Sequence, residues 1–226
     1  MPISYKHRII FVHIPKCAGS SVQRLIDVNT IDELCFQDIK KTSIYVNPKK
    51  FSVDDVVRLT HRTAYHYTYS ELKKLLPFYF LKNFFVFSVV RNPYSRIVSE
   101  YHYLLYQASI NKAINSYVPE SFQSFLTKLD HTESDRIQMF EGHLEPQVSF
   151  LTDGEHISTN IKIYRYENLA ECFAEIKQKT NGTVDYHTRK SHIDKPYQEY
   201  YTQELQDKVY KFYKEDFDKF NYGYNI

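Results

Sequence analysis

The chain has 226 residues and a formal net charge of +2, so no global basic field argues for nucleic acid, and any anion it recognises must be met locally. That length suits one α/β domain with a sizeable core, or at most two small ones. Its three cysteines, Cys17, Cys35 and Cys172, are odd in number and far apart, which fits no disulfide framework or zinc pattern and favours a reducing compartment. No run approaches the ~20 apolar residues of a membrane helix, and the N-terminus has no charged-then-apolar signal segment.

Taken in order, the chain opens with Arg8-Ile-Ile-Phe-Val-His-Ile-Pro-Lys-Cys-Ala-Gly-Ser-Ser21. Residues Ile9 to Ile14 are β-branched or aromatic apart from His13 and predict a short buried strand, stopped by Pro15. Gly19 and the Ser20-Ser21 pair open a helix whose apolar residues Val22, Leu25 and Ile26 recur at i, i+3 and i+4. A strand, a tight turn carrying Lys16 and a helix N-terminus make an anion site, because unpaired N–H groups, an ammonium and two hydroxyls converge there. The plainer alternative is an ordinary strand-to-helix turn with a surface lysine. The Gly-x-x-x-x-Gly-Lys-Ser/Thr spacing of a Walker A loop is absent.

Residues 30 to 58 give no clear pattern. Thr68-Tyr-Ser-Glu71 predicts a capping box for a helix running to Leu76, before Pro77. Phe84 to Val90 is nearly continuously apolar and predicts a central parallel strand covered on both faces. Asn92 then caps a helix with Pro93 at its first position. That helix is expected to reach about Gln107, with Ile97, Tyr101, Leu104, Leu105 and Ala108 as its apolar stripe and Arg96, Ser99 and Tyr103 opposite. Residues 109 to 160 read as loops and short helices, the best of them Phe122 to Leu129. A strand at Ile161 to Tyr164 and a helix from Leu169 to Lys179 follow. The polar loop Gly182 to Lys195 leads to an amphipathic helix from Thr202 to Tyr213. No linker divides the chain, so the expectation is the α/β class, a single domain over 1–226 with a central parallel sheet flanked by helices.

An arginine at the carboxyl end of a central strand sits where open α/β sheets bind ligands. The fork of Arg91 can grip a phosphate bidentately, and Ser99, eight residues on, adds a hydroxyl. The alternative is an ion-paired structural arginine and a solvated serine. Two histidines, His61 and His66, lie between the two phosphate candidates, and histidine near neutral pH suits a general base.

Pro-Lys-x-x-x-Ser-Ser after an N-terminal strand resembles the 5′-phosphosulfate loop of the sulfotransferases, which use 3′-phosphoadenosine 5′-phosphosulfate (PAPS). Val-Val-Arg-Asn-Pro-Tyr-x-Arg-x-x-Ser-x-Tyr resembles their 3′-phosphate motif. The flanking His-Ile-Pro-Lys-Cys-Ala-Gly-Ser-Ser is most similar to the carbohydrate branch, sulfotransferase family 2, related to heparan 2-O- and chondroitin sulfotransferases. The resemblance implies a P-loop-like strand-loop-helix on a fold shared with nucleotide kinases. It also implies a saccharide acceptor, with adenosine 3′,5′-bisphosphate (PAP) as product. It places Lys16, Cys17, Ala18, Gly19, Ser20 and Ser21 around the 5′-phosphate and Arg91 and Ser99 on the 3′-phosphate. Arg189, Lys190 and Ser191 in the late polar loop would cover the nucleotide. Thr60-His61 matches the branch's histidine position except that threonine replaces the usual glycine, which makes His61 the expected base, beside Lys16 as the group that meets charge on the leaving oxygen. His66, among tyrosines, reads as a packing or surface residue. Tyr164-Arg-Tyr-Glu-Asn-Leu169 and the segment from Asp216 to Tyr222 resemble later family segments and read as scaffold.

No metal is expected, since lysine and aligned N–H donors can meet the developing charge. No nucleic-acid partner is expected either, and the oligomeric state is open. Because animal members are membrane-anchored in the Golgi, a chain without an apolar span is expected to be a bacterial, cytoplasmic relative, or a Golgi-lumen protein if trimmed from a eukaryotic one. Two other readings stay open. A kinase-like phosphoryl transferase would need a Mg²⁺ carboxylate at a strand end, and neither strand ends in one. A noncatalytic binder of nucleotide or sulfated glycan would retain bisphosphate affinity without turnover.

Overall fold

The computed structural model describes residues 3–4, 6–26, 66–76, 78–110, 118–180 and 195–226. A four-stranded sheet runs β1 (Ile3–Ser4), β2 (Ile9–Val12), β3 (Phe85–Val90) and β6 (Ile161–Arg165) in spatial order. The pairings β2–β3 and β3–β6 are parallel, as a continuously apolar β3 requires, while the short β1 adds antiparallel to β2. The first strand is shorter than expected, ending at Val12, and His13 and Ile14 lead into the turn. A two-residue hairpin, β4 (Thr152–Asp153) with β5 (His156–Ile157), stands apart from the sheet.

Among the described residues the helices are α1 (Gly19–Leu25), α2 (Tyr69–Leu75), α3 (Phe78–Asn83), α4 (Pro93–Ile110), α5 (Phe122–Leu126), α6 (Glu133–Phe140), α7 (Gln147–Leu151), α8 (Leu169–Thr180), α9 (Gln203–Phe212) and α10 (Lys214–Lys219). The local chemistry behind them is that of the sequence. Thr68 Oγ1 accepts from the Glu71 N–H at 3.2 Å while the Thr68 N–H donates to Glu71 Oε2 at 2.6 Å, closing the capping box. Asn92 Oδ1 accepts from the Tyr94 N–H at 2.9 Å and starts α4, with Pro93 in its first turn. The expected helix at 122–129 is α5 continued by a 3-10 turn from Thr127 to Asp130.

The apolar residues form two cores. One surrounds the sheet, where Phe11 and Phe87 stack at 5.0 Å. The other lies beneath α4, where Tyr94, Phe125, Val209 and Phe217 are buried against α5, α9 and α10. One expectation fails here. Arg96, assigned to the polar side of α4, is 1% exposed and reaches under the helix to donate to the carbonyls of His143 (3.2 Å) and Glu145 (2.7 Å). A long side chain can leave the face that its Cα occupies when carbonyls are there to receive its guanidinium.

Candidate active site

The loop between β2 and α1 is strained. Lys16 and Ala18 hold left-handed φ angles of 65° and 64°. For a residue with a Cβ that region costs roughly 1–2 kcal/mol, and alternation of this kind turns successive N–H groups toward one concavity. Cys17 N–H donates to the Ile14 carbonyl and Ser21 N–H to that of Ala18, whereas no bond is made by the N–H of Lys16, Ala18, Gly19 or Ser20 among the described residues. Gly19 has a steric reason of its own. A Cβ there would lie 1.8 Å from His13 Nε2, so the ring at the end of β2 packs directly on the start of α1. Ser20 is exposed, Ser21 buried. Cys17 turns inward, its thiol donating to Gln147 Oε1 at 3.4 Å, and burial pushes its pKa up to about 12.

Arg91 emerges from β3 beside this loop. Its Nε donates to Ser95 Oγ at 2.8 Å and its Nη1 to the Lys16 carbonyl at 3.2 Å, with the Tyr166 ring 4.1 Å below the guanidinium. The Lys16 ammonium lies 4.0 Å over the Tyr103 ring. Ser95, Ser99 and Tyr103 recur every four residues and share one face of α4. Since Ser95 touches Arg91 and Tyr103 touches Lys16, half-buried Ser99 stands between the two cations. The side of α4 opposite its apolar stripe is thus a wall of the site. Neither Lys16 nor Arg91 is ion-paired with a carboxylate among the described residues. Burial first, and then Arg91, lower the Lys16 pKa, with Glu100 pulling the other way. Two close cations, one buried and one half-buried, with open N–H groups beside them are a place for polyanionic phosphate.

A buried network holds these parts together. Gln147 takes the Arg91 N–H on Oε1 (2.8 Å) and gives its Nε2–H to the Arg91 carbonyl (2.8 Å), pairing with that backbone on both sides. Asp216 in α10 in turn accepts from the backbone N–H groups of Gln147 and Val148, both at 2.9 Å. Burial raises the Asp216 pKa, and Arg96 and these N–H donors offset it. On the other flank, Glu167 accepts from the Asn92 N–H at 2.8 Å and from the Tyr222 hydroxyl at 2.8 Å. The late segments read as scaffold are therefore the supports of Arg91.

The turn before α7 brings His143 to Glu100, whose two carboxylate oxygens each lie 3.0 Å from its Nδ1. Burial works against the charged form of Glu100, but His143, Lys16 and Arg96 hold its pKa below the usual carboxylate range. His66, the expected packing residue, is buried, places Nδ1 3.1 Å from the His13 carbonyl and packs its ring on His13 (4.5 Å) and His143 (4.9 Å). Burial drives its pKa well below the ordinary value and that of His13 to about 3. His61, Arg189, Lys190 and Ser191 lie outside the described residues.

The family model for the sulfotransferase family matches residues 1–223, nearly the whole chain. The chain belongs to that family. Among curated proteins and among solved structures nothing matches it significantly. This sulfotransferase brings Lys16, Ser20, Ser21, Arg91 and Ser99 to one end of the parallel strands, the ligand edge of an open α/β sheet. Sequence reasoning missed Ser95, Glu100, Tyr103, His143, Gln147 and Tyr166. The four-residue spacing around Ser99 could have found Ser95 and Tyr103, whereas nothing local marks His143 or Gln147. Among the described residues no helix is long and apolar enough to cross a membrane, and no group of three or more His, Cys, Asp or Glu side chains is arranged to hold a metal ion.

Proposed function

We propose that this sulfotransferase transfers a sulfuryl group from PAPS to a saccharide hydroxyl, releasing PAP. The observation that carries the reading is the juxtaposition of Lys16 and Arg91, joined by the Arg91–Lys16 carbonyl bond and ion-paired with no carboxylate among the described residues. Two phosphates on one ligand suit two such cations better than one phosphate would. The donor set fits the nucleotide: loop N–H groups, Ser20 and Ser21 for the 5′-phosphate, Arg91 and Ser99 for the 3′-phosphate. Lys16 stabilises negative charge on the oxygen that leaves sulfur, an interaction strongest in the transition state. Arg189, Lys190 and Ser191 cover the nucleotide in this reading. The saccharide acceptor rests on the resemblance of the first loop to the carbohydrate branch, which also names His61 as the base.

The donor is tested by thermal melting. PAP is expected to raise the melting temperature well above the shift given by adenosine 5′-monophosphate or ATP at equal concentration, since Arg91 needs a 3′-phosphate to grip. Equal shifts for PAP and the monophosphate would overturn the placement of Arg91 and Ser99. The acceptor is then sought with sulfur-labelled PAPS and a panel of capsular and glycosaminoglycan-like saccharides, followed by mass analysis, where labelling of none overturns the saccharide reading.

A further inference from the structure

We propose that His143, oriented by Glu100, takes the proton from the acceptor hydroxyl in place of His61, an assignment that rests on the sulfotransfer reading above. The Tyr103 ring that lies under the Lys16 ammonium at 4.0 Å also stacks on the His143 imidazole at 5.7 Å, so one phenol ring borders both groups. A base for this reaction must stand near the group that meets the leaving oxygen, because acceptor oxygen and leaving oxygen are attached to the same sulfur in the transition state.

Glu100 also orients the ring. An ionised carboxylate only accepts, so Glu100 fixes the proton of neutral His143 on Nδ1 and leaves the lone pair on Nε2. Nε2 has no hydrogen-bond partner among the described residues, and the side chain keeps 13% of its surface exposed. The neighbouring histidines are differently placed. His13 is wedged against Gly19, and His66 is buried on the His13 carbonyl. His102 bonds the Tyr200 hydroxyl at 2.6 Å. His143 has the Glu100 carboxylate behind it.

The turn that carries His143 is held on several sides. Arg96 holds the carbonyls of His143 and Glu145, the Tyr213 hydroxyl holds that of Leu144 at 2.7 Å, and Arg136 pairs with Glu145 at 2.9 Å. Such support fixes an imidazole to the tolerance that proton transfer requires. In the step itself His143 Nε2 accepts the hydroxyl proton while an electron pair of the acceptor oxygen forms the new bond to sulfur. The bond from sulfur to the 5′-phosphate oxygen breaks, and its pair stays on that oxygen beside Lys16. The imidazolium left behind sits against the Glu100 carboxylate and returns its proton to solvent.

The test uses the full chain. In ¹⁵N side-chain spectra His143, assigned by its loss in His143→Gln, is expected as the Nδ1–H tautomer, and a predominantly Nε2–H ring would overturn the proposal whatever the acceptor. With sulfur-labelled PAPS and pooled desulfated heparin and chondroitin, His143→Gln is expected to lower kcat about a hundredfold or more while leaving the PAP melting shift unchanged. Glu100→Gln is expected to lower kcat about tenfold without raising KM, with partial recovery in Glu100→Asp. Turnover of His143→Gln within twofold of the unaltered protein overturns the assignment, as does loss of turnover in His61→Ala alone. A parallel loss of PAP binding and turnover in both His143 and Glu100 variants would make the pair structural and overturn it too. If the unaltered protein binds PAP but sulfates neither pool, the saccharide reading fails separately. Slow release of sulfate from PAPS to water then reads His143, with the same hundredfold loss expected.

Discussion

The loop from Lys16 to Ser21 and the turn from His143 to Gln147 meet across Arg91 and Tyr103, and they are built in opposite ways. In the loop, two residues sit in left-handed backbone and several N–H groups have no described partner. In the turn, the carbonyls of His143, Leu144 and Glu145 are each taken up by a buried or half-buried donor, and Gln147 is held by Asp216. Unspent hydrogen-bonding capacity suits a surface that receives a polyanion, because a donor already satisfied contributes little to binding. Saturated capacity suits a surface whose task is to hold one geometry. The protein keeps its strain on the first side and its rigidity on the second.

The contrast can be broken from the loop side with the largest effect. Lys16→Ala is expected to lower turnover by roughly two to three orders of magnitude while PAP affinity, read by the melting shift, falls much less. Turnover near that of the unaltered protein would return Lys16 to an ordinary surface lysine. From the turn side, Asp216→Ala leaves the N–H groups of Gln147 and Val148 buried without an acceptor. It is expected to cost roughly 3 kcal/mol in denaturant unfolding and to weaken PAP binding through Arg91. A variant as stable as its parent would show that the network is not what holds the turn.

His13 and His66 join the two regions, and burial lowers their folded pKa below the unfolded value near 6.5. The unfolded chain therefore binds protons first, so the stability these rings contribute as neutral groups is complete above about pH 6.5 and lost as pH falls toward the folded values. About 1–2 kcal/mol per ring is expected to be gone at pH 5. Chemical unfolding at pH 7.5 and pH 5 measures it, and His66→Phe should flatten the slope. Flat stability over that interval would mean the rings are solvated. The smallest effect is expected far from either region. Thr68→Ala opens the capping box of α2 and should cost about 1 kcal/mol with kcat unchanged.

What was readable in the sequence follows the range of the interactions. The strand Phe85–Val90, the Asn92 cap and the Lys16 loop were legible because each is carried by neighbours in the chain. Arg96 was misplaced because a helical projection locates a Cα and not a guanidinium, which here travels to carbonyls near residue 145. His143 and Gln147 were invisible for a related reason. Their partners, Glu100, Arg91 and Asp216, lie more than 40 residues away, and a stretch reading His-Leu-Glu-Pro-Gln has no period to expose a buried face. Ser95 and Tyr103 were recoverable from the four-residue step around Ser99, once the polar side of α4 is understood as a wall of the site.

The Asp216 clamp has a consequence for biosynthesis. Domains begin to fold N-terminus first as the chain is made, and the Lys16 loop is made before Arg91, Gln147 and Asp216. The carboxylate that fixes Gln147, and through it both backbone groups of Arg91, is made after all of them. A nascent chain therefore carries its lysine loop through the synthesis of residues 17 to 216 without the arginine fixed beside it. The two cations are expected to be fixed side by side only when α10 docks, so a chain that has not reached Asp216 would have no firm hold on the proposed nucleotide.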